Sequence, residues 1–188
     1  MDTKQQILSV AQRLVQQRGV NGFSYADIAE AVGIRKASLH HHFPAKADLV
    51  AALIEGYTEQ VQAELSRIAQ LNITIEEKLL SYVKLYRQTL DSDCICLGGM
   101  LASEVQTLDA LILSRLKGFF ESHKTWLIEI LTEGVAQQSL VLNSTPAVHA
   151  QMLLSALQGS LLIARATGDI EAFDQATALL ISNLMRKG

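Results

Sequence analysis

Apolar residues recur every three to four positions along nearly the whole chain, the spacing that gathers them on one face of an α-helix. Ile7, Leu8, Ala11, Leu14 and Val15 set this rhythm first, with Asp2 or Thr3 placed to cap and Gly19 to stop, so a helix is predicted up to Arg18. "VNGF" reads as a turn. Ser24 can then cap the N–H of Asp27 and open a short second helix, with Ile28, Ala29 and Val32 on its buried side and Gly33 at its end. A third short helix is predicted over Lys36–His42, because the residue ahead of Pro44 is pushed out of the α region. Further on, the pattern predicts a helix from Ala47 to about Gln70 with Leu49, Leu53, Tyr57, Val61, Leu65 and Ile68 inward. Helices over Ile75–Leu90, a stretch near Leu97–Thr107, and a long run from Asp109 to about Gln138 follow. Two last helices, Ala147–Ala166 and Glu171–Arg186, are parted by "TGDI". No period-2 run of β-branched or aromatic residues competes. The expected fold is all-α with about nine helices: a three-helix N-terminal helix-turn-helix head in residues 1–48 and a larger C-terminal helical bundle in 49–188.

Composition changes this picture little. With 49% apolar and 19% charged residues among 188, the chain is globular, and two prolines leave helix formation unopposed. No apolar run approaches the roughly 18 to 20 residues of a membrane span, so a cytoplasmic protein with no membrane partner is expected. Charge adds more. The net charge is -3, yet the first 48 residues carry six Lys/Arg against four acids, and the rest carry ten against fifteen. A positive head on a negative body suits a protein that presents one end to a polyanion.

Within that head, "VGIRKASLHHHFPAKADL" joins a basic pair to three consecutive histidines. Adjacent helical residues point about 100° apart, so His40, His41 and His42 cannot converge on one ion, and no metal or other cofactor is expected. The second helix of a helix-turn-helix enters the major groove and contacts bases and phosphates from near its N-terminus. There Arg35 and Lys36 supply cationic arms, Ala37 leaves room for close approach and Ser38 offers a hydroxyl. The helix N-terminus itself attracts phosphate, and the histidines can donate hydrogen bonds to the DNA backbone. Leu39 and Phe43 would pack inward.

These residues carry a family resemblance. "FSYADIAEAVGIRKASLHHHFPAKADLV" resembles the DNA-binding head of the tetracycline-repressor (TetR) family of bacterial transcription regulators. Ser24, Ile28-Ala29, Ala31, Gly33-Ile34, the run Arg35 to Ser38, Leu39, Phe43, Lys46 and Leu49 stand in the family order. The resemblance implies double-stranded operator DNA as partner, a homodimer, a small-molecule effector of unknown identity, and Lys46 as a phosphate contact. Two departures stand out. His40 occupies a place where the family has a tyrosine on the DNA backbone, and Arg35 one where a Ser or Thr cap is usual.

The expected DNA-contacting set is thus Ser24, Arg35, Lys36, Ala37, Ser38, His40, His41, His42 and Lys46. In the body, aromatic rings with polar tips suit a small pocket, whose candidates are Tyr57, Tyr82, Tyr86, Cys96, Met100, Phe119, Phe120, His123 and Trp126. The last two helices are expected to form a four-helix interface with a second copy, through Leu153, Leu157, Gly159, Ser160, Phe173, Leu180 and Leu184. Cys94 and Cys96 leave an alternative open, a thiol- or redox-sensing repressor, against the bland reading of two packed reduced cysteines. Catalysis is not expected, since no Glu-x-x-His pair, nucleophile elbow or Gly-rich phosphate loop occurs. A non-specific DNA-packaging protein would be strongly basic, which this chain is not. The fourth helix joins head to body, so effector binding is expected to shift the spacing of two recognition helices away from about 34–36 Å.

Overall fold

A computed structural model describes residues 2–186. Among them lie nine α-helices: α1 (Thr3–Arg18), α2 (Tyr25–Val32), α3 (Lys36–His42), α4 (Lys46–Gln70), α5 (Ile75–Asp91), α6 (Leu97–Ser103), α7 (Ala110–Ala136), α8 (Pro146–Thr167) and α9 (Ile170–Ser182). Two 3₁₀ turns, Val20–Gly22 and Val105–Thr107, follow α1 and α6. No strand occurs among the described residues, only a single antiparallel bridge between Leu140 and Met185. The fold is all-α, and each helix lies within a few residues of its predicted span.

Caps explain the boundaries. The Asp2 carboxylate accepts from the N–H of Gln5, the Thr74 hydroxyl from Glu77 and the Thr145 hydroxyl from Val148, so α1, α5 and α8 each begin with a donor satisfied. Gly168 ends α8 in the left-handed conformation and Asp169 caps α9. Three ends differ from the sequence pattern. Glu104 leaves the helical path and splits the Leu97–Thr107 stretch into α6 and a 3₁₀ turn. Gln138, at φ 58°, follows the end of α7. The last helix stops at Ser182 rather than Arg186, because the N–H of Arg186 bonds to Ser139 and that of Val141 to Leu184.

The chain divides into two compact units. One comprises Met1–Gln60 and Cys96–Phe119, the other Val61–Ile95 and Phe120–Gly188. In the first, Ile7, Ala11, Val15, Ile28, Leu39, Leu49 and Ile54 form a core that joins α1 to the short helices. The α6 helix packs closely there, since a Cβ on Gly98 would lie 2.3 Å from the Phe119 ring. The second unit is centred on Leu79, Tyr82, Leu127, Leu131, Leu157, Leu161 and Phe173. Among the described residues, α8 is the one helix long and apolar enough to cross a membrane by length and composition.

Candidate nucleic-acid interface

The α2 helix is built to present α3. The Asp27 carboxylate accepts from the Ser24 N–H at 2.7 Å and the Ser24 hydroxyl at 2.6 Å, and these bonds hold its carboxyl below the usual range. Ser24 thus serves the start of α2 in this structure. Tyr25, Ile28 and Ala29 face inward. At the other end Gly33 adopts φ 76°, a left-handed conformation that favours glycine, and its N–H and that of Ile34 return to Ala29 O at 3.0 Å. The chain turns sharply and α3 starts three residues later, at Lys36.

Seven residues cannot sustain a helix alone, so α3 depends on its anchors. Leu39 is fully buried and Phe43 nearly so. The Tyr25 hydroxyl donates to Phe43 O at 2.9 Å from a buried position, and burial, aided by the Asp48 charge, pushes its pKa up to about 12. It therefore remains a donor throughout the physiological range. Arg35 precedes α3 with no side-chain cap, as its place in the sequence suggested.

With Leu39 pointing in, Arg35, Lys36, Ala37, Ser38, His40 and His41 are exposed and His42 is half-buried. The His41 and His42 rings meet edge to face at 5.8 Å. His40 packs on the Tyr25 ring at 4.8 Å, and its Nδ1 lies 3.3 Å from Pro44 O. A carbonyl only accepts, so that bond places a proton on Nδ1. Lys46 is half-buried: its ammonium donates to Phe23 O and lies 4.0 Å from the Phe23 ring centroid. Burial lowers its pKa, against the opposing charges of Glu104 and Asp27.

Thr3 was not visible from spacing. It lines the same shallow depression as Ala37, Ser38, His41 and His42, from more than thirty positions away. The only sequence signal for it is that Thr3 lies at the N-terminus of an amphipathic helix.

This geometry meets the comparisons with known proteins. Residues 7–53 match the model of the family described as bacterial regulatory proteins, tetR family. A TetR-family transcriptional regulator from Agrobacterium tumefaciens has a similar crystal structure, with a TM-score of 0.93, 34% identity and 98% of each chain covered. The chain belongs to the TetR family. A TetR transcriptional regulator from Legionella pneumophila is also similar, at 34% identity, a TM-score of 0.90 and 98% of each chain. The transcriptional repressor NemR of Escherichia coli (strain K12) is 24% identical over 94% of this chain and 91% of its own. As a TetR-family member the protein is a DNA-binding transcriptional regulator, and these relatives are regulators rather than enzymes.

The residues suggested for a TetR-type pocket fall in two groups. Tyr57, Cys96, Met100 and Phe119 belong to the first unit, where the Tyr57 and Phe119 rings lie 5.7 Å apart. Tyr82, Tyr86, Phe120, His123 and Trp126 belong to the second. There the Tyr82 hydroxyl sits 2.8 Å from His123 Nδ1 and 3.0 Å from the Tyr86 hydroxyl. Trp126 stacks on Tyr82 at 5.1 Å and donates to Leu65 O at 2.8 Å. His123 is 3% exposed, and burial lowers its pKa to about 4, so it is neutral at pH 7. Phe120 lines a groove with Lys124, Leu154, Ser155 and Gln158.

Burial also sorts the residues suggested for a dimer interface. Leu153, Leu157, Phe173 and Leu184 point into the protomer's own core, while Gly159, Ser160 and Leu180 are half-buried. The outward apolar set on α8 and α9 is Val148, Met152, Leu162, Ile163 and Leu179. The α8 helix is apolar nearly all round, so periodicity did not separate its two faces. Cys94 and Cys96 are both buried and form no disulfide. Burial withholds the thiols from reagents, so thiol sensing is not the better reading.

Proposed function

We propose that the protein is a homodimeric, sequence-specific repressor that binds an operator through α3 and is released by a small-molecule effector. Residues 1–48 would form the DNA-reading head and 49–188 the sensing and dimerising body, working in the cytoplasm without enzymatic activity. The observation that carries this reading is the exposure of Lys36, Ala37, Ser38 and His41 along α3 while Leu39 is buried, with Arg35 exposed at its start. Arg35 and Lys36 provide charge and base contact, and Ser38 and His41 provide shorter polar contact. His40 and Lys46 hold the head together through Pro44 and Phe23 and meet phosphate only with their remaining polar edges.

Two-fold assembly is supported by the stripe Val148, Met152, Ser155, Gly159, Leu162 and Ile163 along α8. A Cβ at Gly159 would meet nothing within 4 Å in the protomer. The protomer's own packing therefore does not require that glycine, whereas close approach of a second helix does. Effector binding near the Tyr57–Phe119 pair, the Tyr82–His123 cluster or α6 would alter the spacing of the two α3 helices.

The test is binding to the intergenic DNA beside the protein's own gene, against scrambled DNA, at about 150 mM salt, where non-specific affinity is weak. Wild-type protein should bind the native fragment alone. Arg35→Ala should lower that affinity by about 1–3 kcal/mol and Lys36→Ala should reduce the salt dependence as well. Equal binding to both DNAs would refute sequence-specific regulation.

A further inference from the structure

The turn after α1 is clamped by a carboxylate 84 positions away. One Glu104 carboxylate oxygen accepts from the Val20 N–H at 2.6 Å, and the other from the Asn21 N–H at 3.3 Å and the Asn21 Nδ2 at 3.0 Å. Asn21 Nδ2 also donates to the Thr107 hydroxyl at 3.1 Å. Gly19 makes the joint possible twice over. Its φ of 77° turns the chain, and a Cβ there would lie 2.8 Å from a Glu104 oxygen. Charge-assisted bonds to a carboxylate are about twice as strong as neutral ones, and here they gather on a single side chain.

The position of Glu104 gives the joint its meaning. It is the C-cap residue of α6, one turn beyond Met100, and Cys96 is the N-cap at the helix's other end. On the other side of the joint, Val20 and Asn21 lead through Phe23 and Ser24 into α2 and α3, and Phe23 holds Lys46. Thr107 adds a second contact from the turn that follows α6.

We propose that Glu104 is a positioning residue for operator binding: its carboxylate fastens the end of α6 to the Gly19–Asn21 turn and so fixes the orientation in which the head presents α3. This inference rests on the reading of the protein as a dimeric, operator-binding regulator. A displacement of α6 then moves the head with it, and a head released from Glu104 is held less closely. A loosely held head can still contact DNA, but it no longer enforces one separation between half-sites.

The experiment uses the full-length protein and its footprinted operator, alongside an operator with one base pair inserted between the half-sites. Wild-type protein should bind the inserted operator at least tenfold more weakly. Glu104→Ala should bind the native operator about tenfold more weakly, the equivalent of about 1.4 kcal/mol. It should discriminate between the two spacings by no more than about twofold, with helical content retained. Asn21→Ala should show an intermediate effect, and the double variant should be no worse than Glu104→Ala. Glu104→Gln fills the same volume but turns an amide donor towards donors, so it carries the same test should the alanine variant fail to fold. Wild-type spacing discrimination in both Glu104 variants overturns the proposal. So does an equal loss on native, inserted and non-specific DNA, which marks a damaged head rather than a misdirected one. Failure of the wild-type protein to bind any fragment instead overturns the regulator reading beneath it.

Discussion

His123 shows at the scale of one residue how burial becomes a measurable pH dependence. Its pKa of about 4 in the folded chain lies below the ordinary 6.5, so the unfolded chain takes up the proton first. The stability difference is complete above pH 6.5 and is lost as pH falls towards 4, by roughly 3 kcal/mol. Replacing His123 with Gln removes that proton, so the gap between wild-type and variant stability should shift by about this amount across the window. Denaturant unfolding at pH 7 and pH 4.5 measures it. An unchanged gap would mean that His123 is solvated. The partner that fixes its ring, Tyr82, is 41 positions away. Spacing could place both residues on inward helix faces, but not against each other. The same holds for Glu104 and Asn21, which read separately as an ordinary surface acid and an ordinary turn residue.

At the scale of the element, the helix-turn-helix was legible because its determinants are local. Ser24, Asp27, Gly33 and Pro44 each act on neighbours within a turn or two, through a cap, a left-handed residue and a breaker, and Leu39 supplies the apolar anchor. The later boundaries were less legible wherever a distant segment decided them. Residues 184–186 favour helix by pattern but pair instead with 139–141, and Glu104 leaves the helix where it meets Val20. Local specification also makes α3 fragile. Leu39→Ala removes its fully buried anchor and should destabilise the head by about 2–5 kcal/mol. Circular dichroism and hydrogen exchange across residues 24–46 measure this, and operator binding should fall in parallel. Native-like protection of these amides in the variant would show that Phe43 and Tyr25 suffice to hold α3.

For the whole molecule, the proposed dimer turns on which surface a second copy would cover. Sequence pointed to the last two helices but not to a face, because α8 carries apolar residues around most of its circumference. Folding uses the Leu153, Leu157 and Leu161 side of α8 and leaves Ile163 64% exposed and Met152 45% exposed, with Leu179 of α9 62% exposed. Gly159 lies on that outward stripe, in open space within the protomer. A glycine inside a helix costs about 1 kcal/mol relative to alanine, so one that the protomer does not need is best accounted for by a neighbouring helix. Gly159→Leu should therefore leave the protomer folded, with a melting temperature of the isolated chain no lower than wild type, while obstructing helix approach. Sedimentation should show the variant as a monomer where the wild type is a dimer. Its operator affinity should fall at least tenfold, because two half-sites are no longer bound together. A Gly159→Leu protein that stays dimeric and binds as tightly as wild type would move the two-fold contact away from this face of α8.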